Sequence, residues 1–179
     1  TAEESFAVPP RDAQRIVLAD VLPDGDYLSA MVEIAGGGGF VEQQADTPDG
    51  NAVSPCSNST SNRWYFADNY TLNGSQEDLI ITNPFPDDAI LDFTFASNDG
   101  TRNPQNLQGF PVPGNSVVVV SEANMPKDEA VLAVTVAASR GRVVVARAQQ
   151  YLGERSGYSL TLGSPSLSSE WWFADGEAG

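Results

Sequence analysis

The sequence writes nearly the same aromatic pentapeptide twice, WYFAD at 64–68 and WWFAD at 171–175. Weaker echoes fall around that pair in the same order. FAVPP (6–10) resembles FPVPG (110–114), and RIVLADVLPDGD (15–26) resembles VVVVSEANMPKDE (117–129). YLSAMVEIAGGGGFVEQQ (27–44) resembles AVLAVTVAASRGRVVVARAQQ (130–150). The spacing drifts only from 103 at Pro23/Pro126 to 107 at Trp64/Trp171. A single drifting offset is the mark of a tandem duplication with loop insertions, and it sets a unit of about 105 residues.

The runs inside that unit read as strands. DLIITNPF (78–85), AILDFTFAS (89–97), SVVVVSE (116–122), AVLAVTVAAS (130–139), RVVVARAQQYL (142–152) and YSLTLG (158–163) are short, rich in β-branched residues and separated by turn residues. RIVLADVL (15–22) and YLSAMVEIA (27–35) read the same way. In AILDFTF, Leu91, Phe93 and Phe95 alternate with polar or outward positions, the period of a half-buried strand. Asp99–Gly100 is a hairpin signal, and NPFPDD, VPGNS and MPKDE break strands. No amphipathic helix of useful length is visible. The expected fold is all-β, built of tandem Ig-like antiparallel β-sandwich units, one complete and one partial. The expected organisation is the second half of a preceding repeat over 1–50, a Ser/Asn-rich linker over 51–62, a complete repeat over 63–165, and a linker plus the opening strand of a further repeat over 166–179.

Several of these elements together resemble a β-domain family of unknown function found in secreted and cell-envelope proteins of actinobacteria. The carriers are the WYFA opening at Trp64–Ala67, LIITNP (79–84), ILDFTF (90–95), VVVARAQQY (143–151), SLTLGSP (159–165) and the second WWF. The resemblance implies an extracytoplasmic β-domain with no assigned activity. Residues 1–44 lack the aromatic opening half of that pattern.

Composition narrows the chemistry. The chain has no His, which removes the usual general base, the Ser–His and Cys–His couples and the commonest transition-metal ligand. The net charge of -15 repels phosphate, so neither nucleic acid nor an anionic membrane is an expected partner. No run of 18 apolar residues is present, so no membrane insertion is expected within this chain. Cys56 is the single cysteine; it is either a buried thiol or a disulfide partner for a cysteine outside the chain.

Three candidate sites remain. Trp64, Tyr65, Trp171 and Trp172 can stack on sugar rings, or they can be first strands whose rings cap a core; the continuing Phe66 and Phe173 favour the second. Asp24, Asp26, Asp87 and Asp88 are candidate calcium ligands, although none follows a calcium-loop pattern and each lies after a Pro, where Asp serves turns. Paired carboxylates for glycoside cleavage are a third, unselected option. GGGG (36–39) lacks a following Lys-Ser/Thr or helix and reads as a loop. The expectation is a non-enzymatic, secreted or cell-surface module with no required cofactor, acting as a spacer or adhesion element. Its partner would be a protein or a polysaccharide at the cell surface. A carbohydrate-binding module is the alternative, and a glycoside-active enzyme comes third.

Overall fold

The alternation of the central runs is realised strand by strand. In a computed structural model, which describes residues 2–22, 27–153 and 156–172, the fold is all-β with several antiparallel sheets and almost no helix. The chain divides into two units, Thr1–Gly39 and Phe40–Gly179.

The first unit holds one helical turn, α1 (Leu18–Val21), and no strand among its described residues. The strands expected over 15–22 and 27–35 are therefore absent. The cause is pairing. A strand's N–H and C=O groups need a neighbour, and the matching runs of the second unit have one on at least one side. Residues 1–39 contain no counterpart of the 64–97 region that supplies those neighbours. Phe6, Val8, Met31 and Val32 accordingly stay exposed.

The second unit begins with a hairpin of β1 (Glu42–Thr47) and β2 (Gly50–Pro55). Residues 51–55, expected as linker, are thus a strand; only 56–62 connects β2 to β3 (Arg63–Asn69). The small side chains of Gly50, Ala52 and Ser54 hid this strand from a propensity reading. They form its inward positions, and β2 lies against β11 (Gly157–Leu162). Gly50 approaches so closely that a Cβ there would sit 3.3 Å from the Tyr158 backbone nitrogen. Gly50 and Gly157 lie 107 positions apart, have φ of +146° and +140°, and each opens a six-residue strand.

Two larger sheets follow. One has the order β11, β10 (Val144–Tyr151), β4 (Gln76–Asn83), β8 (Ser116–Ser121). The other runs β3, β9 (Leu132–Arg140), β5 (Ala89–Ser97), with β6 (Gly100–Arg102) and β7 (Phe110–Val112) sharing the far edge of β5. The hairpin expected at Asp99–Gly100 forms, with Asn98 and Asp99 as its turn and Gly100 already paired with Ser97. Where β6 and β7 leave a gap, Gln108 Nε2 donates to Phe93 O and Gly109 N to Asp92 Oδ1.

Strands of both sheets feed one hydrophobic cluster. It draws Leu79 and Ile81 from β4, Val120 from β8 and Val145 from β10. From the other sheet come Trp64, Phe66, Leu91, Phe93, Phe95, Leu132, Val134 and Val136. Each such side chain contributes about 1.5–3 kcal/mol by leaving water. Two locks hold the cluster's rim. The Phe66 ring lies over Gly163, where a Cβ would come within 2.7 Å of it. Asn83 Nδ2 donates to Asp87 O, Val112 O and Pro113 O, and its Oδ1 accepts from Phe85 N, so one buried amide ties NPFPDD to VPGNS.

Candidate functional site

The inward face of β10 turns from apolar to polar partway along. Val145, Arg147 and Gln149 share the core-facing phase, and all three are buried. Glu77 on β4 is directly opposite Gln149, while Leu79 is opposite Arg147. Ser159 and Thr161 of β11 lie opposite Gln149 and Arg147 on the other side. The result is a polar layer at one end of an otherwise hydrophobic interior.

Its members are held unequally. Gln149 Nε2 donates to Tyr70 O and Gln76 O, and its Oε1 accepts from Tyr70 N, so it anchors the chain leaving β3. Tyr70 in turn packs against Tyr151 with ring centroids 5.9 Å apart. Arg147 Nη1 donates to Asp68 O and Asn69 Oδ1. That contact joins β10 to the end of β3, where the β3–β9 register shifts between Phe66 and Asn69. Glu77 is 0% exposed, and neither carboxyl oxygen accepts a hydrogen bond. Arg147 Nε, Asn69 Nδ2, Ser159 Oγ and Thr161 Oγ1 are likewise buried without a bond.

Electrostatics follow from burial. Loss of hydration pushes the Glu77 carboxyl up to about 8; the Arg147 charge opposes this and Asp78 adds to it. Glu77 is therefore neutral near pH 7, a proton-holding group beside a fixed cation. Enclosed as it is, its carboxyl faces protein rather than solvent.

The expected site residues are scattered. Trp64 is 0% exposed, with its indole Nε1 donating to Val143 O at 2.9 Å, so it offers no face to a sugar. That corrects its place in an aromatic platform: it belongs to the core. Tyr65 is half-buried on the opposite face of β3 and bridges to Ser164. Trp171 and Trp172 are 58% and 92% exposed, and Trp171 Nε1 donates to Ser168 O. Asp87 and Asp88 are exposed, and Asp88 Oδ1 accepts from Gly114 N in the turn. Asp24 and Asp26 lie outside the described residues. Among the described residues no three Asp, Glu, Cys or His side chains converge. Cys56 is an exposed free thiol, its pKa raised by partial burial and by Glu42, which keeps it in the less reactive thiol form.

A family model described as "Family of unknown function (DUF5719)" matches residues 39–157. The chain belongs to that family. The DUF5719 match begins at the β1–β2 hairpin and contains Glu77, Arg147 and Gln149. An unassigned activity agrees with the resemblance drawn from the motifs. A solved structure described as "Crystal Structure of Thermotoga maritima 1070" is 19% identical with a TM-score of 0.49, covering 59% of this chain and 95% of that one. An Anabaena sensory rhodopsin transducer is 20% identical with a TM-score of 0.39, covering 56% of this chain and 92% of that one. Comparison with curated proteins gave no match.

Proposed function

We propose that the chain is a non-enzymatic, secreted or cell-surface β-sandwich repeat module that serves as a spacer or adhesion element and meets a protein partner. The observation that carries this reading is the place of Trp64. The most conspicuous motif of the sequence puts its first ring into the core, where it ties β3 to Val143 and builds the module rather than a binding face. Phe66 against Gly163 and Asn83 between two loops extend the same pattern, in which the motif residues serve packing. The absence of His supports a non-catalytic role.

Carbohydrate binding is the second reading, and the exposure of Trp171 and Trp172 favours it. The two separate in one experiment. The purified chain is screened against cell-wall polysaccharides and immobilised envelope proteins, with release of reducing sugar followed in parallel. The module reading predicts protein binding that Trp171→Ala with Trp172→Ala leaves unchanged, and no turnover. Sugar binding lost in that double variant would establish the second reading, and turnover would overturn both. Mass spectrometry of the natural protein with and without reductant decides whether Cys56 pairs with a cysteine outside this chain or stays a free thiol.

A further inference from the structure

Among the described residues, Glu77 and Arg147 are the charged side chains that are buried. They are diagonal neighbours on one face of the β4–β10 pair, within reach of a long side chain. Arg147 divides its hydrogen-bonding capacity. Nη1 holds the Asp68–Asn69 corner of β3, whereas Nε has no acceptor. That corner sits where the β3–β9 ladder shifts register, so Arg147 supplies what the ladder there does not. Gln149 secures the next residue, Tyr70, independently.

We propose that Glu77 and Arg147 form a protonation-controlled latch between the two sheets. With Glu77 neutral, the guanidinium stays committed to Asp68 O and Asn69 Oδ1 and ties β10 to β3. When Glu77 gives its proton to solvent, the carboxylate draws Arg147 across through the spare Nε–H. The Asp68–Asn69 corner then loses its tie. A buried carboxylate without a partner is costly, and the guanidinium fork is the donor in reach that offsets that cost. The titratable groups around Glu77 are Arg147 on β10, Asp78 beside it on β4 and, through Gln149, the phenols Tyr70 and Tyr151. On the other side of β4, β8 carries no titratable side chain over 116–121, and Glu122 opens the turn that follows it against β4. The inference does not depend on the module reading.

The test is a pH titration of the whole chain by NMR from about pH 6 to pH 10, which brackets a group near pH 8. The signals followed are the Glu77 carboxyl carbon, Arg147 Nε–H and the Asp68 and Asn69 amides. The latch predicts that all three move together with one midpoint. It also predicts that Glu77→Gln holds the amides at their low-pH positions throughout. A Glu77 carboxyl that titrates while the Asp68 and Asn69 amides stay still overturns it, as does a Glu77→Gln protein whose amides keep the same transition. The carboxyl-against-amide comparison is made in the unsubstituted protein, so the result stands whether or not the variant folds.

Discussion

Replacing Trp64 tests whether the aromatic pentapeptide builds the core. The indole is wholly buried, opposite Val136 on β9, and its Nε1 donates to Val143 O. Trp64→Ala removes the ring and leaves a cavity at the junction of both sheets, which puts the loss at about 3–5 kcal/mol. Trp64→Phe is milder, because much of the apolar burial is kept. Val143 O still accepts from Ser61 N at 3.0 Å, so no buried acceptor is orphaned. The lost hydrogen bond then costs about 1 kcal/mol, with a smaller cavity contribution beside it. Trp172→Ala, at a side chain 92% exposed, changes stability by less than about 0.5 kcal/mol. Urea unfolding followed by far-UV circular dichroism reads all three without relying on tryptophan emission. The expected order of loss is Trp64→Ala, then Trp64→Phe, then Trp172→Ala near zero. A Trp64→Ala protein within about 1 kcal/mol of the parent would mean that the indole does not build the core.

Two further perturbations follow from buried polar groups. The folded-state pKa of Glu77, about 8, lies above its ordinary 4.5, so the neutral acid is what the fold favours. Its contribution is complete below pH 4.5 and is lost at about 1.4 kcal/mol per unit as pH rises to about 8, roughly 5 kcal/mol in all. The difference in unfolding free energy between the parent and Glu77→Gln isolates this slope, since the other carboxylates cancel; a flat difference would contradict the burial argument. Asn83→Ala removes an amide that bonds three carbonyls and one N–H across two loops, and the expected loss is about 2–4 kcal/mol with faster hydrogen exchange in 84–88 and 112–115.

The alternation of Leu91, Phe93 and Phe95 predicted β5, and Asp99–Gly100 predicted its turn, because both are local signals. The strands at 15–22 and 27–35 have the same local signal and do not form, because a strand also needs a partner that a local pattern does not supply. β2 failed in the opposite sense: its Asn51, Ala52 and Ser54 read as linker, and pairing with β1 made them strand. The polar layer was readable and was missed. Stepping back by two from Ile81 and Leu79 puts Glu77 on the buried face of β4, and stepping forward from Val145 puts Arg147 and Gln149 on the buried face of β10. Polar residues in core phase were the signal. The different fates of Trp64 and Trp171 lay beyond any motif, since burial depends on what faces the ring: Trp64 has Val136, and Trp171 has no strand opposite it among the described residues.

The chain has three tryptophans, and Trp171→Phe with Trp172→Phe leaves Trp64 as the sole tryptophan. Acrylamide quenching of that protein tests most directly whether the WYFAD opening is core rather than binding surface. A core indole gives blue-shifted emission and weak quenching in the native protein, rising to that of free tryptophan only on unfolding. Quenching at the free-tryptophan rate in the folded state would place the ring in solvent and contradict it.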